Sequence, residues 1–228
     1  MLRFATLVAL LGCLISCGDA SQNASSQTAS GPMTVSLSGS PSTSVWQGQC
    51  SACHAAAGEG NRALGAPALI QLSADYIARQ LDHFVSGVRG AHPEDDAGRR
   101  MALSVANLSE ADIKGLADLI TTDLPPSQPA ATMSGDASRG EDYYVNICSA
   151  CHGGNALGND ALGAPALAGV NDWYLKSSYQ GYLDGSRGTH PDDFYGAQMS
   201  RLAPALAKGD DIDDVIAFIA TLPPRRSP

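Results

Sequence analysis

Cys50-Ser51-Ala52-Cys53-His54 recurs 98 residues later as Cys148-Ser149-Ala150-Cys151-His152, and this pair of stretches decides how the chain folds. The match reaches well beyond five residues. Ala63-Leu64-Gly65-Ala66-Pro67-Ala68-Leu69 returns at 161–167, Gly87-Val88-Arg89-Gly90 as Gly185-Ser186-Arg187-Gly188, and His92-Pro93 as His190-Pro191. Gly98-Arg99-Arg100-Met101 returns as Gly196-Ala197-Gln198-Met199, with no gap anywhere from Cys50 to Met101, and both copies end in Leu-Pro-Pro. Two copies are too few to stack as a solenoid, so the chain is a duplicated domain. The Pro/Ala/Ser stretch 125–134 reads as a semi-extended linker, which places one domain at 44–124 and the other at 135–228. At roughly 3 Å per residue such a linker holds its ends within about 30 Å, so the halves are expected to pack through a pseudo-two-fold interface.

Of the 228 residues, 44% are hydrophobic but only 6% aromatic, which is thin material for two cores. Gly (24) and Pro (13) follow no three-residue period, which excludes a collagen-like chain. A formal net charge of −9 without a basic run excludes nucleic acid as a partner, because phosphates demand the opposite sign. Each half reads as three helices: 43–50, 74–85 and 109–121 in the first, and 138–148, 172–182 and 209–221 in the second. The apolar spacing of Tyr76, Ile77, Leu81, Phe84 and Val85 is helical, Ser109 suits an N-cap, and Pro125 and Pro223 are stops. Strand signals are absent, so the fold class is all-α.

Cys-x-x-Cys-His is the attachment signature of c-type haem. Two thiols three positions apart on a helical turn can form thioethers with both vinyl groups of one porphyrin, and the adjacent His then lies beneath the iron. A thioredoxin-like reading needs a βαβ context that is not visible. A zinc site built from Cys50, Cys53, Cys148 and Cys151 ignores the His in each copy and the strict duplication. Haem also accounts for the composition, since a domain of this size with few aromatics is marginal on its own apolar burial. Two covalently bound haem c groups are therefore expected.

The sixth iron ligand separates an electron carrier from an enzyme, because an open position binds small molecules. Met101 and Met199 are the only methionines inside the domains, each 47 residues after its His and each in a Gly-x-x-Met setting that reads as a polar loop. Repetition at one position favours ligation over core filling. His92 and His190 also repeat and are rival ligands, although their Arg-Gly and Pro-acidic flanks read as a solvated loop. His83 has Gly181 as its counterpart and reads as an ordinary helix-surface histidine.

The order Cys-x-x-Cys-His, Gly-Ala-Pro-x-Leu, a helix and turn ending in Gly-x-Arg-Gly, then Met and a final amphipathic helix resembles the class I cytochromes c. Two such domains in tandem resemble the dihaem cytochrome c4 group. The resemblance implies thioethers at Cys50, Cys53, Cys148 and Cys151 and axial pairs His54/Met101 and His152/Met199. It implies that the Pro67 and Pro165 carbonyls hold the proximal imidazoles, and that Arg89 and Arg187 lie near haem propionates; a solvated turn is the alternative for the two arginines. The first domain departs from the group with Cys-His-Ala where the second has Cys-His-Gly.

Residues 1–17 read as an export signal: Arg3 precedes an apolar run, Phe4 to Ile15, that is too short to span a bilayer. Leu14-Ile15-Ser16-Cys17 resembles the bacterial lipoprotein box, which would make Cys17 lipid-bearing and the Ser-rich stretch 18–43 a flexible tether; simple cleavage after Ala20 is the alternative. The expectation is an exported, periplasm-facing dihaem electron carrier, not an enzyme, whose only membrane contact is a lipid anchor. It would relay electrons from a quinol-oxidising complex or dehydrogenase to a terminal oxidase or reductase. A haem subunit docked in a dehydrogenase or oxidase complex and a dihaem peroxidase are the alternatives.

Overall fold

Ser40, Ser73 and Ser109 each accept a hydrogen bond from the backbone N–H three residues on, and each opens a helix of the first half. At Ser109 the bond is reciprocal: Asp112 reaches back to the Ser109 N–H and completes a capping box. The computed structural model describes residues 39–125, 128–206 and 211–225. In the first half α1 (Pro41–Val45) runs through a π turn, Trp46–Cys50, into α2 (Ser51–His54), followed by α3 (Ala74–Val85), α4 (Asp96–Val105) and α5 (Glu110–Thr122). The second half repeats the order with α6 (Ala137–Tyr143), a π turn Tyr144–Cys148, α7 (Ser149–His152), α8 (Asp172–Asp184), α9 (Phe194–Leu202) and α10 (Asp211–Thr221). The described residues form no strand, only the isolated bridges Asn61–Ala66 and Asn159–Ala164.

Two of these helices depart from the sequence reading. Met101 and Met199 lie on α4 and α9, not on polar loops. The cause is a cap: Asp95 accepts from the Gly98 N–H at 2.7 Å and Asp193 from the Gly196 N–H at 2.9 Å, which starts a helix despite the glycine inside it. Further upstream, α1 begins at Pro41, within the stretch read as tether. The signal segment, Cys17, most of the tether and Gly209 lie outside the described residues.

Each core is anchored at one repeat position. Trp46 and Tyr144 are fully buried in the two halves, and each uses its polar tip to hold the segment after the motif histidine. Trp46 Nε1 donates to Ala56 O at 3.2 Å, and the Tyr144 hydroxyl donates to Gly153 O at 2.6 Å. In the first half Ile77, Leu81, Phe84, Leu116 and Ile120 pack α3 on α5 around Trp46. In the second, α6 crosses α10 and a smaller cluster gathers Tyr144, Leu206, Val215 and Ile219.

The two halves form one compact unit, joined by reciprocal contacts. Arg89 donates to the Tyr174 hydroxyl at 3.0 Å, and Arg187 donates to the Tyr76 hydroxyl at 3.1 Å. Tyr76 and Tyr174 are repeat equivalents, so the same residue pair meets twice, as a two-fold relation requires. Ser73 and Asn171, also equivalents, cross the interface too: Ser73 Oγ donates to Asp160 at 2.7 Å, and Asn171 accepts from the Ala68 N–H at 2.6 Å. The linker is pinned to this body. The buried Asp172 carboxylate accepts from the backbone of Thr132 and Met133, and Arg62 donates to Thr132 Oγ1 at 2.9 Å. Among the described residues no helix is long and apolar enough to cross a membrane.

Candidate functional site

His54 and His152 are the last residues of α2 and α7, and both are buried. Their Nδ1 atoms lie 2.8 Å from Pro67 O and 2.9 Å from Pro165 O. A carbonyl can only accept, so Nδ1 carries the proton and Nε2 keeps its lone pair free for a metal. Burial pushes both imidazoles down in pKa, against the raising effect of the carbonyl bond, and so favours the neutral ring a ligand needs. Each proline carbonyl is placed by the same backbone frame. The His54 carbonyl accepts from the Gly60 N–H and the His152 carbonyl from the Gly158 N–H, both at 2.9 Å, and the Asn61–Ala66 and Asn159–Ala164 bridges close the loops.

The thiols of Cys50 and Cys148 are both pushed up to about 11, by burial first and by the neighbouring thiol second. A redox Cys-x-x-Cys works through a depressed pKa, so these thiols lack that activation. Among the described residues no three His, Cys, Asp or Glu side chains converge on a cation site, so the four cysteines do not assemble the zinc alternative.

In the second half a largely apolar cavity is walled by Cys148, Cys151, His152, Pro165, Tyr179 and Met199. Met199 therefore shares one cavity with the proximal histidine. Met101, its equivalent, is half-buried and packs on the first core together with Cys50 and Leu69. The rivals His92 and His190 sit in tight turns instead, each accepting at Nδ1 from the backbone N–H two residues on, at 3.3 and 3.2 Å.

His83 departs from expectation. It is 9% exposed, not a surface residue, and its Nδ1 lies 3.8 Å from the buried Asp193 carboxylate of the other half. Burial pushes its pKa down while Asp193 pulls it up. Interdomain packing covers it. Arg89 and Arg187 are likewise not in a solvated turn: both guanidiniums sit at the interface, and both donate to Gln80 Oε1, at 2.7 and 3.3 Å. No described carboxylate forms an ion pair with either one. Burial alone would push the Tyr174 phenol up, but Arg89 and Arg187 pull it down to about 7.

These features fit haem c. Each half offers two thiols, a neutral imidazole with a free Nε2 and a thioether, and the interface between them holds guanidiniums that no described carboxylate pairs with. Sequence reasoning missed Arg79 and Gln80 and took His83 for a surface residue. The signal for them is a break in the repeat, because their equivalents are Ser177, Ser178 and Gly181.

Comparison with known proteins follows the same division. The cytochrome c family profile matches residues 42–122 and again 137–223. A thiosulfate dehydrogenase electron acceptor of Thiomonas intermedia is 32% identical over 151 residues, covering 62% of this chain and 66% of that protein's length. One of the same description from Stutzerimonas stutzeri is 28% identical over 183 residues, 76% of this chain and 78% of its own. Cytochrome c4 of Acidithiobacillus ferrooxidans shares the fold with a TM-score of 0.64 at 22% identity, over 77% of this chain and 99% of that one. The thiosulfate dehydrogenase of Marichromatium purpuratum gives a TM-score of 0.59 at 30% identity, over 76% of this chain and 36% of the other.

Proposed function

Because this chain belongs to the cytochrome c family, as a two-domain member that transfers electrons through two covalently bound haem c groups, we propose that it takes electrons from an exported dehydrogenase and relays them to a terminal oxidase or reductase. Haem c supplies the one-electron iron couple. Cys50, Cys53, Cys148 and Cys151 hold the two porphyrins by thioethers. His54 and His152 would offer Nε2 to the irons, with the Pro67 and Pro165 carbonyls keeping each ring in the required tautomer. Met101 and Met199 would each offer a thioether as the second iron ligand of its half, a soft donor that would favour the reduced state and leave no open position for outside ligands. Arg89 and Arg187 would offer their guanidiniums to haem propionates, which would draw their charge away from Tyr174.

The observation that carries this reading is the paired bond from each motif histidine to its proline carbonyl, made twice at the same repeat position. The relatives described as thiosulfate dehydrogenase electron acceptors support a dehydrogenase as the donor. Export followed by lipidation at Cys17 would hold the carrier at a membrane surface facing the periplasm, the tether giving it reach. A docked haem subunit is the second reading, supported by the 30% identity to part of a longer thiosulfate dehydrogenase chain.

Rapid mixing of the oxidised protein with a thiosulfate dehydrogenase and thiosulfate tests the donor class. Reduction of both haems at a rate that depends on the dehydrogenase concentration is expected. Catalytic turnover of peroxide without such reduction would overturn the proposal in favour of the peroxidase. Co-purification at fixed stoichiometry would identify the docked subunit. For the anchor, Cys17→Ser should release the protein from membranes, and a wild-type mature N-terminus at Ser21 would contradict lipidation.

A further inference from the structure

We propose that Arg79 of the first domain is a ligand for a haem propionate of the second domain, so that one haem is held partly by the other half of the chain. The inference rests on the reading that both domains carry covalent haem. Arg79 lies on α3, and its Nη2 crosses the interface to donate to Gly163 O at 2.7 Å. Gly163 belongs to the same loop as Pro165, whose carbonyl holds His152. The guanidinium also lies 4.5 Å from the Tyr195 ring centroid and 5.3 Å from that of Tyr76. These contacts fix its position. They leave Nε buried with no hydrogen-bond partner, on the wall of the cavity that Cys148, Cys151, His152 and Met199 also line.

A half-buried guanidinium whose Nε is buried without a hydrogen-bond partner calls for an anion, and no described carboxylate forms an ion pair with this one. The propionates are the only anionic groups on a porphyrin of this kind, so the unused donor and the charge point to the same partner. The repeat supplies its own control. The equivalent position in the second domain is Ser177, which is exposed and donates to the Tyr174 carbonyl of its own helix at 3.1 Å. The second domain has no matching arm to give back, and the two haems are inequivalent by construction.

The test is a crystal structure of the haem-loaded protein together with potentiometric titration of wild type, Arg79→Gln and Arg79→Lys. Haem methyl resonances, assigned through contacts to residues of either domain, identify each centre. An Arg79 nitrogen should lie within about 3.2 Å of a propionate oxygen of the haem attached at Cys148 and Cys151. Arg79→Gln should lower the reduction equilibrium constant of that haem about tenfold, 59 mV for one electron, and leave the other unchanged. Arg79→Lys keeps the charge and should restore most of the loss, which a purely structural role would not do. An Arg79 side chain away from the propionates, or equal shifts of both haems, would overturn this inference alone. A wild-type protein without two haems would instead strike the reading beneath it.

Discussion

The two halves build the same helix crossing with the glycine on opposite helices. In the first, Gly115 of α5 lies beneath Ser42 of α1, and a Cβ there would run into the Ser42 hydroxyl. In the second, Gly140 of α6 lies against the Asp214 carbonyl of α10, and a Cβ would meet that backbone. The loop after the motif histidine shows the same exchange. Ala55 and Gly58 occupy two of the positive-φ positions in one half, Gly153 and Ala156 the same two in the other, with φ of 63°, 72°, 78° and 55° in that order. Duplication has kept a backbone geometry while moving the residue that permits it. Where the halves truly differ is α3, whose Arg79, Gln80 and His83 have only Ser177, Ser178 and Gly181 opposite them.

The comparison breaks most sharply at the sixth ligands. Met199→Ala should open the iron of the second domain only, lower its potential by at least about 59 mV and admit carbon monoxide, while haem content stays at two per chain. Met101→Ala should do the same to the first domain alone. Visible spectra with and without the gas distinguish the two cases. A smaller effect is expected at the crossings. Gly140→Val should destabilise the second half by about 3 kcal/mol, because the added atoms meet the Asp214 backbone, and Gly115→Val should cost the first less, because the Ser42 hydroxyl can turn away; both are read as separate shifts in thermal unfolding followed in each domain.

Smaller again is the post-motif loop. Ala55 has ψ 164° with its positive φ, a region that is strained for any residue with a Cβ. Ala55→Gly should therefore stabilise the first half by about 1 kcal/mol, and Gly153→Ala should cost the second a similar amount, measured by denaturant unfolding. The smallest effect is on pH dependence. Burial pushes the Asp172 carboxyl up, but its bonds from Thr132, Met133 and Trp173 outweigh this and hold its pKa below the ordinary value. A depressed folded pKa stabilises above the unfolded value of about 3.9, and that contribution disappears as pH falls through the folded one. The linker should detach from α8 on acidification, as read from amide exchange at Thr132 and Met133. The first domain has Ala74 at this position and no such clamp.

Most of the fold was legible because it is local or repeated. The Cys-x-x-Cys-His spacing, the serine caps and the Gly-Ala-Pro segments carry their own geometry, and a second copy in register removes coincidence. The helices that bear Met101 and Met199 were not legible, because Gly98 with two arginines, and Gly196 with Gln198, obscure the apolar period while the decisive signal is a single capping aspartate. His83 misled for another reason. It faces Asp193, a residue of the other domain, and nothing within its own helix reports that surface. The lack of a symmetric counterpart pointed to an interface as well as to a free surface, and the sequence does not separate the two.

An anaerobic redox-titrated visible spectrum of the purified protein at neutral pH tests the central claim most directly. Two low-spin haems per chain, both with the methionine–iron band in the oxidised state and titrating as two unequal one-electron components, are predicted. A high-spin haem in the wild-type protein, or a single methionine band for two haems, would contradict closed His/Met ligation in both halves.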